Sequence, residues 1–324
     1  LPGSMITTGC PTLTEIIAYY ICVTGILILL HYKKYRYIPI IFGIGLSVTL
    51  MKTRNLKIVM MDVGQGDGIY INTPSDKNIL IDGGSSSNLS VGQYVIVPTL
   101  RYYGVKTIDY AVVSHGDSDH ISGLVYILEN YDDVDIEIKY IILPDIDGKN
   151  GQTPKIYEDS SYNKIINLAK IHGVQIVYFG RGDNLIIDKV KMECLHPNGV
   201  YVGEDRNSYS TVMKLEYENF KMMFTGDVNL SGEEEFINKW EQYDILKIAH
   251  HGSSTSSGEE FLNVIQPKYA LISCGLNNSY GHPHKELLDR LDNINADTHI
   301  TKDNGAILIK VKEEGYYITD YLEN

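Results

Sequence analysis

An α/β layered sandwich preceded by an apolar helical hairpin is the fold this sequence predicts. Three observations carry that expectation. Several short apolar runs end abruptly in Asp or His, helix and strand patterns alternate through the second half, and an almost uncharged N-terminal stretch precedes an acidic remainder. The boundary is expected between residues 51 and 52, giving a membrane-associated segment of two-helix pattern over 1–51 and a hydrolase-type domain over 52–324.

Between Pro11 and Met51 the only formally charged residues are Glu15, Lys33, Lys34 and Arg36. Residues 13–32 are long enough to cross a bilayer, whereas 37–51 fall short of the roughly 17–25 residues usually needed. Tyr19, Tyr20, Tyr32, Tyr35 and Tyr37 lie near the run ends, where interfacial aromatics anchor a span. The alternative is an apolar hairpin packed on the soluble domain. A cleaved signal peptide fits poorly, because the basic residues follow the first run. Opening on Leu1, the chain reads as a fragment of a longer polypeptide. Orientation is a tie: Lys33, Lys34 and Arg36 in the turn face Lys52, Arg54 and Lys57 beyond the second run. Cys10, Cys22, Cys194 and Cys274 show no paired spacing and read as single packed thiols.

In the domain, strands are expected at 56–61, 68–72, 78–81, 110–114 and 140–143. A helix over 90–103 is expected to kink at Pro98, and one over 154–172 to stop at Gly173. Residues 182–196 and 211–227 read as hairpins, the second turning at Glu218-Asn219. Helices at 233–240, 259–265 and 285–292 alternate with strands at 244–249 and 269–274, and 306–311 with 316–321 closes the chain as a hairpin. Residues 145–153 form a polar loop expected near the site. Repeats and low-complexity segments are absent.

His115-Gly116-Asp117-Ser118-Asp119-His120 concentrates four metal-ligand side chains behind an apolar strand. A polar loop capping a helix with Ser118 or Asp119 is the plainer reading, but matching residues recur at other strand ends. Asp82 precedes Gly83-Gly84, His196 ends 191–196, Asp227 ends 222–227, and His250-His251-Gly252-Ser253 follows 244–249. Alone, each is weak; together they mark a site, because sheet scaffolds build sites at strand ends.

These motifs, in this order, resemble the metallo-β-lactamase fold hydrolases. Met61-Asp62-Val63-Gly64-Gln65-Gly66-Asp67 and Tyr280-Gly281-His282-Pro283-His284 resemble, more narrowly, the C-terminal domain of the ComEC-type competence proteins. The resemblance runs from about residue 56 to the C-terminus, and residues 1–20 are similar to the close of that family's membrane region. It implies an αββα sandwich with His115, Asp117 and His196 on one metal, and Asp119, His120 and one of His250/His251 on a second. Asp227 bridges both. His250 is the favoured ligand of the pair, since it directly follows the strand. Asp82 and Asp67 are expected behind the ligands, Asp67 by the resemblance only; a tight turn explains Gly64 and Gly66 without it. The two divalent ions, manganese or zinc, lie about 3.5–4 Å apart in such sites and lower the pKa of a water between them. Aspartate at 117, where the familiar motif has histidine, favours the harder ion.

Catalysis is expected to rest on Asp119 and Asp227, with Tyr280 and His282 as leaving-group acid or phosphate contact; a rigid Gly-Pro turn explains the last two equally well. Gly252, Ser253 and Ser254 are candidate phosphate donors. The family implies a cell-membrane, multi-pass location with the domain outside the cell, and the channel region of the same protein as partner. It also implies single-stranded DNA, delivered by the uptake machinery, as the substrate of a nuclease-type phosphodiesterase. Charge argues otherwise: the chain carries −13, and a protein gripping phosphates is normally basic along its binding face. A small phosphodiester, such as a cell-wall choline-phosphate ester, suits an acidic surface better. From another class, a non-catalytic metal-stabilised gating module stays open.

Overall fold

The computed structural model of the chain describes residues 9–50, 55–146, 161–199, 205–236 and 241–322, with backbone alone at 44 and 46–50. The domain boundary expected at 51/52 lies outside these residues. The N-terminal part forms both expected helices, Leu13–His31 and Ile38–Leu50. Thr12 starts the first with a reciprocal cap: its hydroxyl accepts the Glu15 amide, and the Glu15 carboxylate accepts the Thr12 amide. The helices pack closely where side chains are small; a Cβ at Gly25 would stand 2.9 Å from Ile41 Cδ1. The first helix buries none of its residues and is long and apolar enough to cross a membrane. The second has 13 residues, fewer than a span needs.

Strands β1 (Leu56–Met60), β2 (Gly68–Asn72), β3 (Asn78–Asp82), β4 (Thr107–Val112), β5 (Glu137–Pro144) and β6 (Gln175–Phe179) form most of one sheet. Strands β7 (Asn184–Ile187), β8 (Val190–His196), β9 (Val212–Tyr217), β10 (Phe220–Phe224), β11 (Ile245–Lys247), β12 (Tyr269–Ile272) and β13 (Asp297–Ile300) form the second. The chain then returns to the first sheet as the hairpin β14 (Ile307–Lys312) and β15 (Gly315–Asp320), giving the order β15-β14-β1-β2-β3-β4-β5-β6 against β13-β12-β11-β10-β9-β8-β7.

Alternation of side chains decides the layers. Leu56, Ile58, Ile79, Ile81, Val112 and Ile142 point inward to meet Met213, Met222, Phe224 and Leu271 of the other sheet. The next residue along each strand points outward. Val59, Leu80, Ala111 and Ile141 pack under Leu100, Leu124, Ile127 and Ile165 of the helical layer. Met223, Ala270 and Ile272 pack under Phe236, Phe261, Leu262 and Leu287 on the other side. Each fully buried Ile or Leu contributes roughly 1.5–3 kcal/mol relative to exposure. The result is the expected αββα sandwich.

Four expectations shift. The helix after β4 begins at Ser118, with Asp117 as its N-cap residue, so Asp119 and His120 belong to its first turn and not to a loop. The 90–103 segment is a π-helical turn, Gly92–Ile96, continuing as the helix Val97–Tyr102, so the irregularity precedes Pro98. Strands β6 and β13 were not expected; each is the outermost strand of its sheet and largely half-exposed. The helix expected at 233–240 begins earlier, at Leu230, and is described to Phe236, and that at 154–172 is described from Ser161. Residues 147–153 of the polar loop lie outside the described residues.

Candidate metal centre

Parallel pairing brings the motifs together. Strands β3, β4, β5 and β6 run parallel, as do β10, β11, β12 and β13, so their C-terminal ends open on one crevice. Asp82 ends β3, Ser114 and His115 follow β4, Asp227 follows β10, and His250 and His251 follow β11. Strand β2 pairs antiparallel with β3, placing Gly68 opposite Asp82; Asp67 therefore arrives at the same edge.

The glycines make this convergence possible. A Cβ at Gly84 would lie 2.4 Å from the Asp119 carbonyl carbon and His120 nitrogen, and one at Gly123 would lie 2.0 Å from the Gly83 oxygen. The Gly123 amide donates to that oxygen at 2.7 Å, and the Asp67 amide to Asp119 O at 3.1 Å. The first turn of helix Ser118–Glu129 thus docks backbone to backbone on the Gly83-Gly84 turn. Gly84→Ala is expected to destabilise the chain by about 1–3 kcal/mol through overpacking and to displace Asp119 and His120. Urea unfolding of the metal-free chain measures the first, and an unchanged midpoint would contradict the docking account.

Within the crevice, three buried imidazoles share one arrangement. His115 Nδ1 is 3.1 Å from Ser114 Oγ, His120 Nδ1 is 2.9 Å from Asp82 Oδ2, and His251 Nδ1 is 3.1 Å from Ser273 O. The Nε2 atom of each is buried and makes no hydrogen bond among the described residues, and neither does Asp227 Oδ1. Asp227 Oδ2 stands 3.2 Å from His120 Nε2 and 3.3 Å from His251 Nε2, and Asp119 Oδ2 is 3.5 Å from the latter. Metal-ligating histidines commonly have one nitrogen held by a carboxylate or carbonyl while the other faces the ion. Buried orphaned nitrogens around a carboxylate fit a divalent cation. Asp67, His120, Asp227 and His251 offer donor atoms mutually within 4.8 Å.

The electrostatics are strained. Burial opposes charge on every member, yet Asp227 holds His120 and His251 well above the ordinary imidazole range, and they hold Asp227 well below the ordinary carboxylate range. Burial, reinforced by His120, pushes His115 down to about 4. Asp82 adopts a left-handed backbone, φ 55°, and accepts both the Ser114 amide at 2.8 Å and its hydroxyl at 2.7 Å. A left-handed non-glycine costs roughly 1–2 kcal/mol, and such strain collects at functional sites.

Not every expected residue joins the cluster. His251, not the favoured His250, takes the inner position. His250 and His251 both have left-handed backbones, φ 51° and 54°, so the alternation of β11 does not continue through them. His251 turns inward, while His250 is 4.0 Å from Asp227 and 30% exposed at the mouth. Asp67 stands 3.7 Å from His120 Nδ1 and 3.6 Å from His251 Nδ1, on the tied side of both rings. His196 is buried, but its Nε2 is 2.7 Å from Ser208 O and its Nδ1 is 3.4 Å from Glu235 Oε2. Asp117 lies 3.8 Å from His115 Nε2 and pairs with Arg206 at 3.0 Å.

On the proposed phosphate loop, the Ser253 amide donates to His250 O at 2.9 Å and the Ser254 amide to His284 Nδ1 at 3.0 Å. Those two amides are engaged within the loop, which corrects the expectation that they face a phosphate. Ser253 Oγ lies 2.9 Å from Thr255 Oγ1, and Gly252 packs on Pro283. Glu233 and Arg290 brace the following turn, Glu233 accepting the Ser257 and Gly258 amides and Arg290 donating to the carbonyls of 254, 256 and 257. Tyr280 is 57% exposed and stacks on the buried His282, centroids 5.5 Å apart. His282 lies 5.7 Å from the His250 ring, and burial with the neighbouring histidines pushes it down to about 4.

Lys247 is the residue sequence reasoning missed. It is 1% exposed; its Nζ contacts Asp67, donates to Gly226 O at 2.9 Å and lies 3.8 Å from Asp227 Oδ1. The available signal was a lone charge inside the apolar run Ile245-Leu246-Lys247-Ile248.

The chain is 29% identical over 320 residues to ComE operon protein 3 of Bacillus subtilis, across 92% of the chain and 39% of that protein. It is 29% identical over 237 residues to competence protein ComA of Neisseria gonorrhoeae, across 72% of the chain and 29% of that protein. The chain thus spans well under half of either relative, and the similarity to competence proteins expected from its motifs is present. The metallo-beta-lactamase fold protein YhfI from Bacillus subtilis superposes with a TM-score of 0.52 at 14% identity, covering 79% of this chain and 99% of that one; it shares the fold. The profile of the metallo-beta-lactamase superfamily matches residues 61–188 and 194–276, more than half of the sequence, and the chain belongs to that superfamily.

Proposed function

We propose that this chain is the hydrolase portion of a membrane-anchored, ComEC-type DNA-uptake protein, and that it cuts phosphodiester bonds in single-stranded DNA with two divalent ions. One observation carries the metal chemistry: three imidazoles with Nδ1 tied and Nε2 free, two of them closing on Asp227. Manganese or zinc held there would supply Lewis acidity and a lowered pKa for water. The chain's residues do the rest. Asp227, Asp119, His120 and His251 would hold one ion, and His115, Asp117 and, after reorienting, His196 would hold the other, with Asp227 available to both.

Gln65 fixes the proton of His282. Gly275 donates to Gln65 Oε1 at 3.3 Å, so the Gln65 Nε2 faces His282 Nδ1, also at 3.3 Å. The neutral ring therefore carries its proton on Nε2, available to a phosphate or leaving oxygen. The competence relatives favour DNA, and the helix Leu13–His31 favours a membrane seat, with the hydrolase on the outer face.

The acidic balance of −13 favours a second reading, a small phosphodiester as substrate. Incubating the detergent-solubilised chain with single-stranded DNA and with bis-p-nitrophenyl phosphate, across manganese, zinc and magnesium, separates the two. Metal-dependent DNA cleavage is expected; intact DNA alongside rapid turnover of the small diester would hand the site to the second reading.

A further inference from the structure

A polyanionic strand and this surface repel each other. Beyond residue 51 the sequence holds 25 basic and 40 acidic residues. Two cations at the crevice are already engaged, Arg206 with Asp117 and Lys247 with Asp67. Beyond the phosphate contacts that bound divalent ions and Lys302, 3.4 Å from His282 O, would supply, an acidic surface favours contacts indifferent to charge, and base stacking is one.

The loop between β12 and helix Lys285–Asn293 presents a ring suited to it. Tyr280 is 57% exposed, and one face is covered by His282, centroids 5.5 Å apart and planes within 20°. His282 in turn sits 5.7 Å from His250 and 6.4 Å from His251. The rings form a ladder from solvent to the metal centre, with Tyr280 as its outer rung. The backbone beneath it is cross-braced. Asn278 Nδ2 donates to Gly275 O at 2.9 Å and to His282 O at 2.7 Å, and its Oδ1 accepts the His282 amide at 2.9 Å. His284 Nε2 lies 3.0 Å from Tyr280 O, and Gly281 takes the left-handed turn, φ 74°. A ring held in place by its backbone loses little freedom when something stacks on it.

We propose that Tyr280 is a stacking platform for a nucleobase of a single strand, adjacent to the phosphodiester bond being cut. This rests on the DNA reading above and gives that site its handle on nucleic acid: an uncharged, sequence-tolerant contact. It differs from a role for the Tyr280 hydroxyl as leaving-group acid, because the ring alone does the work.

The test is steady-state cleavage of a fluorescent single-stranded oligonucleotide by the full metal-loaded chain, with Tyr280→Ala, Tyr280→Phe and Tyr280→Trp. One base–aromatic stack changes affinity by about 5- to 150-fold. Tyr280→Ala should therefore raise KM by about 10-fold or more, while Phe and Trp restore it. On a strand whose bases have been removed, the wild-type KM should rise to that of Tyr280→Ala on intact DNA. A wild-type KM in Tyr280→Ala, or Tyr280→Phe failing like Ala with the loss in kcat, would overturn the platform and leave the nuclease reading intact. If the wild-type chain cuts bis-p-nitrophenyl phosphate but no DNA, both fall together.

Discussion

Asp227→Ala is expected to lower phosphodiesterase kcat/KM by more than about 100-fold, since losing even the outer partners of metal ligands costs about 10–100-fold. Asp227 is the carboxylate on which His120 and His251 close, at 3.2 and 3.3 Å. Removing it leaves the facing Nε2 atoms of His120 and His251 without the carboxylate they share, and Asp119, 3.5 Å from His251 alone, does not replace it. The variant should keep its circular dichroism spectrum, because the neighbouring strand β10 is held by Met222 and Phe224 between the sheets. Asp227→Asn keeps the shape without the charge and should fail almost as badly. Activity within tenfold of wild type in either variant would mean the centre is not built around this residue.

The second large effect is on stability. Lys247→Met leaves Asp67 buried without its counter-ion, and breaking a buried pair by removing one partner costs about 3–5 kcal/mol. Burial alone would push the Asp67 carboxyl up; Lys247 first, then His251 and His120, bring it down to about 2 from 3.8. A depressed carboxylate contributes stability that is complete above its unfolded value and lost as pH falls through the folded one. In metal-free chain, the deficit of Lys247→Met should therefore be largest near neutral pH and shrink on acidification toward pH 2. Adding Asp67→Asn to Lys247→Met should recover part of the loss. Chemical denaturation of the single and double variants measures it, and a single-variant loss below about 1 kcal/mol would show that the pair is not a buried dependency.

Much of this was legible in the sequence, because strand-end ligands announce themselves by type and position. Asp119, His120 and Asp227 come together at one crevice, and Asp82 sits against His120 Nδ1. The layering followed from apolar alternation. What stayed hidden has physical causes. Strands β6 and β13 are sheet edges with one-sided burial, so their patterns are weak. His251 displaced His250 because two consecutive left-handed residues break the alternation that the strand pattern assumes. The role of Lys247, a lone charge in an apolar run, stayed hidden because its partner, Asp67, lies 180 positions earlier, and only the fold joins them. The resemblance gives His196 as a ligand, and its Nε2 meets the Ser208 carbonyl, a contact no local pattern encodes.

The claim on which all of this depends is that the crevice holds divalent metal. Elemental analysis of the purified chain, reconstituted with saturating manganese or zinc and freed of excess, addresses it directly. Two ions per chain are expected, together with a fall in unfolding temperature when a chelator removes them. An Asp227→Ala chain should retain fewer than two. One ion per chain would contradict the two-metal arrangement, and a chain that binds none and unfolds identically with and without chelator would contradict the metal centre itself.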